Sequence, residues 1–198
     1  MNPVVSMQSQ SCYAVAVTSE STTLLMNYTA YYCEENVWHL CADPRLAATD
    51  KRVVWVSSQF QICPLWCQRA ATGIGELVWW DYHVFLLARE ANAVWQVWDL
   101  DTTLALPVNS SEYFSQTFKS LKLPEPVFRM MHSSYYRASF SSDRSHMKNT
   151  DGSWQSAPPD WPAITADELT FTEMLDMRCE VHGDLFSLEE LRGFVARK

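Results

Sequence analysis

The chain has 198 residues, 47% of them hydrophobic, with nine Trp and only five Gly; that is enough for one domain, at most two small ones, around a substantial core, and it excludes a disordered protein. A formal net charge of -8 argues against general affinity for phosphate backbones, which needs clustered Lys and Arg, so nucleic acid is not an expected partner. No apolar run approaches the roughly 20 residues that span a bilayer, and no Lys or Arg precedes Arg45, so neither a membrane span nor a conventional signal peptide is expected.

Residues 1–29 are rich in Ser, Thr and small apolar residues, carry one charge, Glu20, and show no period. They are expected to form a loosely held arm, followed by a single domain over residues 30–198. From Ala30 to about Ala42 the pattern becomes helical: Val37, Leu40 and Cys41 recur at helical spacing, Glu34 and Glu35 suit a first turn, and Pro44 follows the end. Val53 to Ser57 is β-branched and aromatic and predicts a strand. Residues 60–76 then hold two Cys, Pro64 and the turn signal Gly73-Ile74-Gly75. Two apolar runs, 77–88 and 94–99, flank the short connection Glu90-Ala91-Asn92 and predict a hairpin. Ser111 to Leu121 reads as a helix ending before Pro124, Ser139 to Pro162 as a long polar loop of the kind that is often functional. Ser187 with Glu190 three positions later is a capping-box pattern that opens a short terminal helix. There are no internal repeats.

The six cysteines, Cys12, Cys33, Cys41, Cys63, Cys67 and Cys179, lack the density of a disulfide scaffold and point to a reducing compartment. The nearest approach to a metal pattern is Cys63-Pro64-Leu65-Trp66-Cys67, with no second Cys pair or matched His pair, so no metal is expected. Cys33 stands apart because it opens the first helix. A thiol there faces unpaired backbone N–H groups and the positive end of the helix dipole, both of which favour thiolate; the bland alternative is a small buried hydrophobe. A nucleophilic thiol also needs a base. His83, Phe85 and Leu87 share one strand face, and antiparallel pairing sets His83 opposite Asp99 if the turn centres on Ala91, or opposite Asp101 if it centres on Asn92. Either carboxylate would fix the imidazole tautomer and leave the other nitrogen to take a thiol proton; the alternative is a structural hydrogen bond at a sheet end. A helix-start Cys, then His, then Asp is an order compatible with α+β folds of the papain-like and transglutaminase-like kind, where the nucleophile helix packs on an antiparallel sheet carrying the other two.

The set YCEEN-W-L (Tyr32 to Leu40), WDYHV-LL (Trp80 to Leu87), DLDT (Asp99 to Thr102) and F-SDRSHMK (Phe140, then Ser142 to Lys148), followed by Gly152, Trp154 and a Pro-Pro stretch, closely resembles the protein N-terminal glutamine amidohydrolases. The motifs fall in the same order and cover the chain from about residue 30 to near its end. The resemblance implies a thiol hydrolase fold related to papain and the transglutaminases, with a catalytic triad of Cys33, His83 and Asp99, and so favours Asp99 over Asp101. It implies deamidation of an N-terminal glutamine to glutamate through a thioester, with release of ammonia, no cofactor, and a product that enters the N-degron pathway. A cytoplasmic monomer with access to the nucleus is the corresponding expectation.

Confining the reaction to a first residue requires groups that read a free α-ammonium. Glu34 and Asp81 flank triad residues in sequence and are candidates, against the plainer reading of Glu34 and Glu35 as favourable helix-start charges. Ser142, Asp143, Ser145 and His146 are candidates for a pocket wall, against an internally bonded loop in which Asp143 pairs with Arg144 or with backbone. Two rival readings are a papain-like protease on the same three residues and an adaptor that binds N-terminal residues without catalysis.

Overall fold

A computed structural model describes residues 26–47, 49–119, 125–166 and 168–197. In chain order its elements are helix α1 (Cys33–Cys41), a 3-10 turn (Pro44–Leu46), strands β1 (Asp50–Ser57), β2 (Cys63–Leu65), β3 (Val78–Trp80), β4 (His83–Arg89), β5 (Gln96–Trp98) and β6 (Val108–Asn109), and helix α2 (Ser110–Thr117). Then come β7 (Val127–His132), α3 (Ser133–Ser139), a second 3-10 turn (Ser145–Met147), α4 (Phe171–Leu175), β8 (Asp184–Ser187) and α5 (Leu188–Ala196). This is a mixed α+β fold. Six strands form one antiparallel sheet in the order β6-β5-β4-β1-β7-β8, and β2 and β3 pair separately.

β1 sits centrally and is buried on both faces, which is why its sequence is a continuous apolar run and not an alternating one. Val53 and Trp55 point into the core beneath α1, α3 and α4; Val54 and Val56 point into the core beneath α2 and α5. The sheet is thus covered by helices on both sides. Among the described residues no helix is long and apolar enough to cross a membrane.

Several expected boundaries move. The expected strand 77–88 is two strands, because the chain crosses from one sheet to the other at Asp81–Tyr82. The Asp81 carbonyl there accepts from the Ser57 hydroxyl, and its carboxylate accepts from the Tyr82 N–H at 3.0 Å. The helix expected over Ser111–Leu121 starts one residue earlier, where Asn109 caps the Ser111 N–H at 2.9 Å, and ends at Thr117; its expected end lies outside the described residues. The terminal capping box forms, with Ser187 and Glu190 bonded reciprocally. Of the expected arm, residues 1–25 lie outside the described residues, while Met26 and Tyr28 are buried in the core, so the packed body begins before residue 30.

β7 carries an arginine in its middle. Arg129 is 1% exposed and its guanidinium donates to the carbonyls of Asp176 (2.6 Å), Cys179 (2.8 Å), Met174 (3.4 Å) and His182 (3.5 Å). It binds the irregular segment after α4 to the sheet and leads it into β8, where Gly183 (φ +106) passes so close that a Cβ would lie 2.5 Å from the Met130 carbonyl. Arg129→Ala should therefore destabilise the fold by about 2–4 kcal/mol in a denaturant titration, because it removes the donor to one buried and three partly buried carbonyls. Lys at this position, which lacks the planar fork, should recover less than half of that loss.

Candidate active site

The start of α1 is fixed by backbone geometry and by one side chain. Tyr31 adopts a left-handed conformation (φ 69) and the Tyr32 N–H donates to the Thr29 carbonyl at 3.3 Å. Asn36 clamps the same turn, its Oδ1 accepting from the Thr29 N–H and its Nδ2 donating to the Thr29 carbonyl, both at 2.8 Å. Tyr32 supplies no side-chain cap, so the N–H groups of the first turn remain available for another acceptor. Cys33 is the first residue of this turn and is 7% exposed. Burial, reinforced by the charge of Glu34, pushes its thiol well above the ordinary range, against a hydrogen bond from the Val84 backbone. Burial thus acts against the thiolate that the helix-start position favours.

Val84 follows His83, the first residue of β4. His83 is 1% exposed, and its Nε2 lies 2.8 Å from Oδ1 of the fully buried Asp99. The ladder between β4 and β5 pairs Leu86 with Trp98 and Leu87 with Val97, which is the register centred on Asn92. Continued in register it would bring Asp101 opposite His83. The ladder stops at Trp98 instead, and a turn closed by the Thr102 N–H on the Asp99 carbonyl at 3.2 Å swings Asp99 toward the imidazole. The carboxylate bonded to His83 is thus Asp99, reached by a turn and not by strand pairing.

Asp99 is saturated. Its Oδ1 also accepts from the Asp101 N–H at 3.0 Å, and its Oδ2 accepts from Tyr113 Oη at 2.8 Å and Gln68 Nε2 at 3.1 Å. Burial alone would raise its pKa, but His83 and these donors together hold it below the ordinary value. For His83 burial acts downward, and the charge and hydrogen bond of Asp99 override it, leaving the imidazole above its ordinary value. Asp101 is bound by Tyr28 Oη at 2.6 Å; burial, opposed by His83 and reinforced by Asp99, pushes it up to about 6. Trp80 stacks on the His83 ring with centroids 5.8 Å apart. The second ring nitrogen of His83, Nδ1, is buried and has no hydrogen-bond partner.

His83, Asp99 and Asp101 bring one ligand atom each within 4.8 Å of one another, the one such cluster among the described residues. Both oxygens of Asp99 and one of Asp101 already accept hydrogen bonds from protein groups, and the histidine nitrogen facing Asp99 carries its bond. The donor set reads as a proton-handling network.

The remaining candidates separate. Glu34 is fully buried beside the thiol, accepting from Tyr82 Oη at 2.8 Å and from the Cys33 thiol at 3.7 Å. His146 comes to the same spot, its Nε2 3.5 Å from both Glu34 Oε1 and Tyr82 Oη, with its ring stacked on Phe171 at 3.9 Å. Asp81 is exposed and caps its own turn. Asp143 accepts from the Ser145 N–H at 2.8 Å, as an internally bonded loop does, and does not pair with Arg144. Ser142 is buried, with its backbone bridged to Ile164. Arg144 pairs instead with Glu35 across 109 residues, Nε to Oε1 and Nη2 to Oε2 at 2.8 Å each, and Trp161 Nε1 adds a bond to Oε2 at 2.7 Å. Sequence reasoning missed Gln68, Tyr82, Tyr113 and the Glu35–Arg144 pair. Glu35 and Arg144 carried a signal, as opposite charges inside two quoted motifs, and Tyr82 lies inside a third.

Two comparisons bear on this geometry. The family model described as N-terminal glutamine amidase matches residues 28–195. Curated relatives named protein N-terminal glutamine amidohydrolase are 38% identical: one from Drosophila ananassae over 149 residues, 71% of this chain and 73% of the relative, and one from Drosophila grimshawi over 152 residues, 73% and 74% respectively.

Because the carboxylate of Asp99 raises the imidazole, the His83 ring should keep its proton to a higher pH than the ordinary histidine value of about 6.5. In Asp99→Asn burial acts without that opposition, and the midpoint should move down; 15N chemical shifts of the ring followed through a pH titration check the direction.

Proposed function

Because the chain belongs to the N-terminal glutamine amidase family, we propose that Cys33, His83 and Asp99 are the nucleophile, base and orienting carboxylate with which it works. The enzyme hydrolyses the side-chain amide of an N-terminal glutamine, leaving glutamate and releasing ammonia. The observation that carries the assignment of roles is the buried, unpartnered Nδ1 of His83. With Nε2–H engaged by Asp99, Nδ1 is the free acceptor of the ring, and the thiol lies against the backbone of the next residue, Val84.

On this reading the Cys33 sulfur attacks the carboxamide carbon while its proton passes to His83 Nδ1. Burial disfavours a free thiolate, so on this reading proton transfer to His83 accompanies the attack. The carbonyl oxygen becomes an oxyanion, for which the uncapped Cys33 N–H is the nearest helix-start donor by position. Collapse expels the nitrogen, protonated by His83, as ammonia and leaves a thioester. Water, deprotonated by the same imidazole, attacks the thioester, and the thiol regains a proton as glutamate departs. Asp99, held ionised by Gln68 and Tyr113, fixes the tautomer and stabilises the imidazolium formed in both halves.

The same arrangement supports a papain-like or transglutaminase-like thiol hydrolase fold: the nucleophile opens a helix that packs on an antiparallel sheet, and base and carboxylate come from adjacent strand ends. It also supports reading the chain as one catalytic domain, since groups bonded around the site come from Tyr28 through His146.

Ammonia release from three otherwise identical peptides, starting with Gln, Asn or N-acetyl-Gln, tests the reading. Release is expected from free N-terminal Gln alone, and Cys33→Ala should lower its rate by a factor on the order of 10⁴ or more. Near-normal turnover in that variant sinks the triad, and peptide fragments in place of ammonia would make the same groups a protease.

A further inference from the structure

Two adjacent carboxylates in the first turn of α1 are both fully buried, yet they are treated differently. Glu35 is complete: Arg144 and Trp161 supply donors to both of its oxygens. Glu34 is not. Its Oε2 accepts from Tyr82 and, at longer range, from the Cys33 thiol, while Oε1 is buried with no hydrogen-bond donor. His146 Nε2 stands 3.5 Å away without completing one. A buried carboxylate oxygen without a donor is costly, and such a group in a native fold calls for a ligand or a role.

The side chain is nevertheless held in place. Tyr82 stacks on Trp55 with centroids 5.2 Å apart, and Tyr136 Oη donates to the Glu34 carbonyl at 3.2 Å. The carboxylate is thus fixed beside the nucleophile, its Oε2 3.7 Å from Cys33 Sγ, and no Lys or Arg is bonded to Oε1 among the described residues.

We propose that Glu34 binds the α-ammonium of the substrate and so confines hydrolysis to the first residue of a chain. The proposal rests on the reading of Cys33 as the nucleophile in glutamine deamidation. Its geometry closes. In glutamine the α-nitrogen lies four bonds from the carboxamide carbon, a span of roughly 3–5 Å depending on rotamer. A carbon in attack position sits about 3–3.5 Å from sulfur, and an ammonium about 2.8 Å from a carboxylate oxygen. The donor-free Oε1 belongs to the carboxylate whose Oε2 lies 3.7 Å from Cys33 Sγ, so one glutamine can reach both the sulfur and that carboxylate. An internal or acetylated glutamine offers a neutral amide and leaves the carboxylate oxygen without its cation.

The test crosses two enzymes with two peptides: wild type and Glu34→Gln, against a Gln-initiated peptide and its analogue lacking only the α-amino group. Wild type should favour the ammonium peptide by about 100-fold or more in kcat/KM, chiefly through KM, as expected when a buried charge loses its partner. In Glu34→Gln that preference should collapse to within a few-fold. If Glu34→Gln does not fold, as judged by its thermal transition, Glu34→Asp replaces it; drawing the charge back by one methylene should raise KM for the ammonium peptide at least tenfold and shrink the preference. Wild type that discriminates, with a variant that discriminates equally, overturns the role of Glu34 alone. Wild type that releases no ammonia from either peptide overturns the activity and this proposal together.

Discussion

Four carboxylates, Glu34, Glu35, Asp99 and Asp101, are taken out of water within one corner of this fold, where helix α1 meets the open end of β4 and β5. Each needs hydrogen-bond donors to remain there, and the surrounding architecture consists largely of the means of supplying them. Tyr113 comes from α2 and Gln68 from the loop after β2, both to Asp99. Tyr28 comes from the segment preceding α1, to Asp101, and Arg144 and Trp161 come from the long polar loop, to Glu35. Loops that would otherwise be free to wander are located by the acid they serve.

On the proposed roles of Cys33, His83 and Asp99, this organisation prepares the site for the chemistry of an amide. The imidazole is sandwiched between a stacked Trp80 and a saturated carboxylate, so its orientation and tautomer are set before any substrate arrives. Preorganised groups of this kind need little reorganisation when charge develops. On the same proposed roles, burial, which raises the thiol, would equally strengthen the attraction between a sulfur anion and the imidazolium. At Cys33 two influences meet: the dipole at the start of α1 favours the thiolate and burial opposes it.

What was legible in the sequence followed from local physics. The start of α1, the apolar run of β1 and the capping box of α5 are each written within a few residues and form as written. Elements whose logic is non-local were not legible. The break at Asp81–Tyr82 depends on Ser57 from another strand, and β7 hides its strand character behind Arg129, whose partners lie some 45 to 53 residues downstream. The register of β4 with β5 was read from turn position alone, whereas the partner of His83 is decided by where the ladder stops. The mixed α+β class and the pairing of His83 with Asp99 or Asp101 were visible from pattern, and the resemblance favoured Asp99; the donors around that pair were not visible, because Gln68 and Tyr113 carry no signature in one dimension.

The Glu35–Arg144 pair, 109 residues apart, has a consequence for how the molecule is made. During vectorial synthesis the first helix, with Cys33, leaves the ribosome long before the residue that neutralises its neighbouring acid. Until that arginine and Trp161 arrive, Glu35 is better served by water than by the interior, and the helix has reason to stay undocked from the sheet. The thiol of a nascent chain is then an ordinary exposed cysteine, remote from His83. Chemical competence is thereby delayed until most of the chain has been translated.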